Sequence, residues 1–235
     1  MISTKQRNTA YEIMDDFELE GEELREALDK IAKINQLLGG NQLTIAGLKQ
    51  LLKNHDKNKT ITILDVGCGN GDMLRYVADF GQKEGYHFRL LGIDANEFTI
   101  QYAKKISIAY PSISYLRQDI FQPSFKDVDF DIVLCTLTLH HFTNPEIEYL
   151  IDHFYEKATI GFVINDLHRS ALAYRLFQAL CWVFRLNRMS KEDGLLSILK
   201  GFKKEELTDF SNKIKAKKQN IQWKWAFRYQ WIASK

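Results

Sequence analysis

The stretch Ile61-Thr-Ile-Leu-Asp-Val-Gly-Cys-Gly-Asn-Gly-Asp-Met73 decides the fold. An apolar strand runs straight into glycines at 67, 69 and 71, and a helix begins at Asp72. Glycine has no Cβ, so the main chain bends tightly here and can approach a ligand. The N-terminus of the following helix adds unpaired N–H groups that suit a carboxylate or phosphate. The layout is that of a nucleotide-type cofactor site.

Gly-x-Gly-x-Gly also marks ordinary turns, so the second βα unit carries the discrimination. Phe88-Arg-Leu-Leu-Gly-Ile-Asp94 reads as a buried strand, with Asp94 at its C-terminal end, where a carboxylate accepts both hydroxyls of a ribose. The glycine spacing differs from the Gly-x-Gly-x-x-Gly of a pyrophosphate loop, which disfavours a dinucleotide dehydrogenase. Leu64-Asp-Val-Gly-Cys-Gly-Asn-Gly71 and Gly92-Ile-Asp94 together resemble the first two motifs of class I S-adenosylmethionine-dependent methyltransferases, from about residue 60 onward. The resemblance implies a Rossmann-like sheet that binds S-adenosyl-L-methionine and releases S-adenosyl-L-homocysteine. It implies cofactor contacts from Asp65, Gly67, Gly69 and Gly71 at the methionine end and from Asp94 and Ala95 at the ribose. Asp119 and Ile120 would lie at the adenine, and Thr136 at the fourth strand end.

Outward from that centre, strands and helices alternate: Thr60–Val66, a helix from Asp72, Phe88–Ile93, a helix from Glu97, Ile113–Leu116, Phe130–Thr136, a helix from Pro145, and Thr159–Asn165. This pattern predicts a doubly wound, mostly parallel seven-stranded α/β sheet with helices on both faces. Asn144-Pro145 reads as an N-cap followed by proline at the first helical position. The first fifty-odd residues read as helical, with Leu24, Leu28, Ile31, Ile34 and Leu38 at helix spacing and Gly39-Gly40 as the stop, followed by a short helix over Thr44–Leu52. The end, Ile221-Gln-Trp-Lys-Trp-Ala-Phe-Arg-Tyr-Gln-Trp-Ile232, alternates with period two and predicts a closing antiparallel pair turning near Ala226-Phe227. The expected division is an N-terminal helical cap over 1–55 and a methyltransferase domain over 56–235 with a helical insertion at about 168–200.

Three candidate bases stand at strand ends. Leu134-Cys-Thr-Leu-Thr-Leu-His140-His141 ends the fourth strand and resembles the Leu-His-His stretch of small-molecule members. It lacks both the Asn/Asp-Pro-Pro-Tyr of amide and amino-nitrogen methylation and the Pro-Cys of cytosine-carbon methylation. Methyl transfer from a sulfonium is an in-line displacement, and a phenol acceptor must also lose a proton. Histidine titrates in the right range, so His140, His141 and His168 are all candidates. At the fifth strand, Asn165-Asp166-Leu167-His168-Arg169 adds a guanidinium fork able to orient an anionic acceptor, or alternatively an Asp166–Arg169 pair bracing the cap. Tyr174 is a further substrate-contact candidate. The fourth strand ends without the clustered carboxylates of metal-dependent phenol methylation, so no metal is expected.

The stretch Ile164–Phe177 and the stretch Trp223–Tyr229 also look like bacterial methyltransferases of phenolic lipid and polyketide pathways. The apolar run Ala171 to Leu186, broken by Arg175, Gln178 and Arg185, is an amphipathic helix that either walls an apolar acceptor pocket or packs as core, and it is too interrupted to span a membrane. The expected reaction is methylation of an oxygen on an aromatic or polyketide-like molecule; methylation of RNA, or of a carbon on a quinone-like acceptor, are the alternatives. A formal charge of +2 over 235 residues gives no sign of a phosphate-tracking surface, so nucleic acid is not an expected partner. Three cysteines without metal-ligand spacing and a start lacking signal-peptide order suggest free thiols and a cytoplasmic location.

Overall fold

The computed structural model describes residues 2–235. Two helices, α1 (Glu22–Leu37) and α2 (Gly40–Leu52), precede an alternating run: β1 (Thr60–Val66), α3 (Asp72–Glu84), β2 (His87–Asp94), α4 (Glu97–Ile106), β3 (Ile113–Arg117), β4 (Ile132–Thr136), α5 (Asn144–Lys157) and β5 (Gly161–Leu167). Three helices follow, α6 (Ala171–Val183), α7 (Arg188–Lys200) and α8 (Lys204–Ser211), and the chain closes with β6 (Lys218–Lys224) and β7 (Arg228–Ser234). The sheet order is β3-β2-β1-β4-β5-β7-β6. β1 to β5 are parallel, while β7 runs antiparallel to both β5 and β6. The strand order reverses between β1 and β4, so a crevice opens beyond their C-terminal ends.

Both faces of the sheet are covered, which is why its strands read as continuous apolar runs. Ile61, Ile63, Ile132 and Leu134 point into one core with Leu48, Leu52 and Leu74, while Leu64, Val66, Val133 and Cys135 point into the other with Ile151 and Phe154. β7 is buried almost throughout, its Trp231 ring meeting Phe162 edge-on at 5.3 Å. β6 forms the sheet edge and is polar and largely exposed, with a lysine at each end.

The structure corrects several local expectations. Residues before α1 are not helical beyond one 3-10 turn at Ile13–Asp15; they form an extended strap held by side-chain hydrogen bonds. α2 begins at Gly40 and not at Thr44, because Gly39 in the left-handed region ends α1's turn and restarts the helix at once. The N-cap of α5 is Thr143, which forms a capping box with Glu146, and Asn144 is already helical. α6 ends at Val183, followed by Arg185 at positive φ. The turn near Ala226-Phe227 is where the reading of period-two alternation placed it.

Candidate active site

The C-terminal ends of the parallel strands open into one cavity of about 1430 Å³. Its first half is built by the glycine loop after β1. Gly67, Gly69 and Gly71 all take positive φ. At Gly69 an added Cβ would meet nothing nearer than 3.7 Å, so its main chain faces the cavity bare. At Gly71 an added Cβ would sit 2.0 Å from the Tyr115 hydroxyl, itself 2.8 Å from Ser107 Oγ. Gly71 is therefore behind the wall, and its contribution is to let β3 close against the loop.

Asp94 is held by two backbone donors: Gly69 N–H reaches Oδ2 and Asn96 N–H reaches Oδ1, each at 3.1 Å. Burial raises its pKa against these bonds. Asp65 is 2% exposed. Burial, with the charges of Asp94 and Asp72, pushes its carboxyl up to about 8. An enclosed acid of this kind is matched by a cationic ligand group, which fits the ammonium of the methionine end of S-adenosylmethionine. Ala95, Asp119, Ile120 and Thr136 line the same cavity. Asp119 Oδ1 accepts from Phe121 N–H at 2.9 Å, and the Thr136 and Thr44 hydroxyls lie 3.1 Å apart.

The second half is walled by Ala173, Leu176, Phe177 and Leu180 of α6 and by Trp225 and Phe227 of the β6–β7 turn. Tyr174 is not on this wall, because its position on α6 lies a quarter-turn away from the cavity-facing stripe. His140 is 2% exposed. Leu137, at φ 56°, kinks the chain after β4, and the 3-10 turn Leu139–His141 then brings His140 against the end of β5. The ring Nδ1 lies 2.7 Å from Asp166 Oδ1, and the His140 backbone N–H donates to Oδ2 at 3.1 Å. Burial opposes the Asp166 charge, but the imidazole, together with Leu167 N–H, holds its carboxyl below the usual range. An ionised Asp166 can only accept, so Nδ1 carries a proton, while Nε2 is buried and without a hydrogen-bond partner.

The other two histidines sit differently. His141 Nδ1 is 2.7 Å from Asp15 Oδ1; burial lowers its pKa, but the Asp15 hydrogen bond and the charges of Glu12 and Asp15 raise it overall. His168 lines the cavity, receives Trp223 Nε1–H on its Nδ1 at 3.1 Å, and is kept below its ordinary pKa by burial and then by Lys203 and Arg169. Arg169 does not serve the cavity as the sequence suggested. Its side chain is fully buried against Glu206 at 2.7 Å and the carbonyls of Gly201 and Thr4, and it makes no pair with Asp166.

Several residues of the site carried no signal in the sequence. Arg7 of the strap donates to the carbonyls of Lys200, His140 and Phe142 and to Asn144 Oδ1, each at 2.9 Å. Glu12 Oε1 stands 3.9 Å from His140 Nε2. Glu12, His140 and His141 thus present ligand-type atoms within 4.8 Å of one another, but the Lys200 ammonium lies 3.2 Å from both Glu12 Oε1 and Asp15 Oδ2. Positive charge at this cluster is supplied by the chain itself. Arg228, at the start of β7, also lines the cavity and is 3% exposed.

A glycine loop, a backbone-held acid after β2 and a crevice at the strand-order reversal define a class I S-adenosylmethionine-dependent methyltransferase. Residues 63–192 match the methyltransferase domain family, and the chain belongs to it. Among solved structures, the plantazolicin methyltransferase BpumL in complex with S-adenosylhomocysteine aligns with a TM-score of 0.66 over 88% of each chain at 16% identity. An O-methyltransferase family protein from Burkholderia thailandensis aligns at 0.61 and 14% identity, over 88% of this chain and 59% of that one. Curated relatives include putative methyltransferase 235L of Invertebrate iridescent virus 6, 32% identical over 88 residues (37% of this chain, 30% of the relative). Putative methyltransferase YqeM of Bacillus subtilis (strain 168) is 31% identical over 112 residues, 46% of this chain and 42% of the relative. The matched stretches span less than half the length of these curated relatives. Among the described residues no helix is long and apolar enough to cross a membrane.

Proposed function

We propose that this methyltransferase acts on an oxygen of an apolar, aromatic or polyketide-like small molecule, with His140 as the base. The observation that carries the reading is the buried His140–Asp166 pair, with His140 among the residues that line the cavity that also receives the glycine loop. Bound S-adenosylmethionine supplies an electrophilic methyl group on a sulfonium. Asp65, Asp94 and Asp119 hold the cofactor half, α6 and the β6–β7 turn exclude water around the acceptor, and His140 Nε2 takes the hydroxyl proton as the oxygen–methyl bond forms. Asp166 keeps the ring in the correct tautomer and balances the imidazolium. The apolar lining from Leu176, Phe177, Leu180 and Trp225 supports an apolar acceptor.

Turnover on a panel of phenols tests the reading. His140→Ala should lower kcat by about a hundredfold or more and leave S-adenosylhomocysteine affinity unchanged, while His168→Ala keeps most of the rate. Full turnover in His140→Ala removes the base from this scheme.

A further inference from the structure

The acceptor half of the cavity contains a buried cation that the protein leaves without partners. Arg228 lines the wall beside Leu167, His168 and Phe227, and its Nε and Nη1 are sealed from solvent with no hydrogen-bond acceptor. Three neighbouring cations are engaged: Arg7 on three carbonyls and Asn144, Arg169 on Glu206, and Lys200 between Glu12 and Asp15. Asp166 is the acid whose charge acts on Arg228, yet its oxygens are occupied by the His140 ring, the His140 N–H and the Leu167 N–H. Burial lowers the guanidinium to about 10, so it remains charged at neutral pH. A charged fork in a low-dielectric wall with its donors unmet is unfavourable unless a ligand meets them.

We propose that Arg228 binds a carboxylate of the acceptor, so that the substrate class is an aromatic hydroxy-carboxylic acid with its hydroxyl presented to His140. The carboxylate meets the guanidinium through Nη2, the nitrogen that is not sealed. Arg228 and His140 line the same cavity: Arg228 is paired in register with Leu167 at the end of β5, one residue beyond the Asp166 that holds His140. The placement of the hydroxyl rests on the oxygen-transfer reading above, whereas the carboxylate site stands without it. The role expected of Arg169 thus falls to Arg228, at the start of β7.

The test uses the full chain saturated with S-adenosylhomocysteine and two probes of nearly equal shape, salicylate and its neutral amide, salicylamide, titrated by calorimetry. Salicylate should bind the unmodified protein about thirtyfold or more tightly than salicylamide, the scale of a desolvated charge pair. Arg228→Met should abolish that preference, leave S-adenosylhomocysteine affinity unchanged, and raise the Tm of the unliganded protein by removing an unpaired buried charge. Arg228→Lys should keep part of the preference. Equal binding of the two probes, no binding of salicylate, a preference retained in Arg228→Met, or an Arg228→Met chain that fails to fold would each overturn the proposal. A salicylate preference without any methyl ether product would leave the carboxylate site standing and remove only the oxygen-transfer reading.

Discussion

In the proposed reaction, the pairing with Asp166 sets His140 apart from the other two candidate histidines. The residues themselves were legible at strand ends, but the selection depends on which imidazole the fold sets against a buried acid, and that pairing joins β4's end to β5's. The difference between Arg169 and Arg228 has the same origin: both are basic residues near one end of the sheet, and only the pairing with Glu206 tells the engaged side chain from the unpartnered one. The position of Asp94 at the end of β2 was legible because it is set within one local βα unit. Its carboxylate also orders the glycine loop through Gly69 N–H. Asp94→Ala should therefore weaken S-adenosylhomocysteine binding by about a hundredfold, since lost charged hydrogen bonds leave donors unpaired on both ligand and loop. Calorimetry measures this directly, and an unchanged Kd would reject the assignment.

At the scale of elements, the strands and the helices α3 to α5 follow from apolar patterning, and the misplaced boundaries trace to caps. Thr143 outcompetes Asn144 as N-cap of α5 because Glu146 lies at the reciprocal position of a capping box. The strap before α1 was illegible, since its order comes from Arg7, Glu12 and Asp15 meeting residues more than a hundred positions away. The loop between β1 and α3 has a demand visible in sequence and explained by structure. Gly71→Ala would place a methyl group 2.0 Å from the Tyr115 hydroxyl in a backbone at φ 76°. We expect a loss of about 1–3 kcal/mol in stability from backbone strain alone, read as a lowered denaturant midpoint. Unaltered stability would show that the loop and β3 can separate freely.

For the whole molecule, stability should depend on pH more steeply without ligand than with it. Asp65 has a folded pKa of about 8, above its ordinary carboxylate value, so the folded state holds a proton that the unfolded state releases. Its contribution to stability is full below about pH 4 and is lost as pH rises towards 8. Asp166 has a lowered pKa and contributes the reverse, stability that is lost under acid conditions. Between pH 5 and 8 the Asp65 contribution should lower the Tm of the free protein. Saturation with S-adenosylhomocysteine should flatten that slope, because the cofactor's ammonium favours ionised Asp65, and the Asp65→Asn variant should have a shallower slope, with the remainder coming from Asp94, Asp193 and His141. A slope undiminished in Asp65→Asn would place its source elsewhere.

The central claim is that this cavity directs a methyl group to oxygen. Its most direct test is mass spectrometry of the products formed when the protein is given methyl-labelled S-adenosylmethionine and a panel of phenols and hydroxybenzoates. The expected result is one labelled methyl ether per turnover, formed on the hydroxyl and strongly diminished in His140→Ala. Label found on a carbon or nitrogen, or labelled ether formed equally well by His140→Ala, would contradict it.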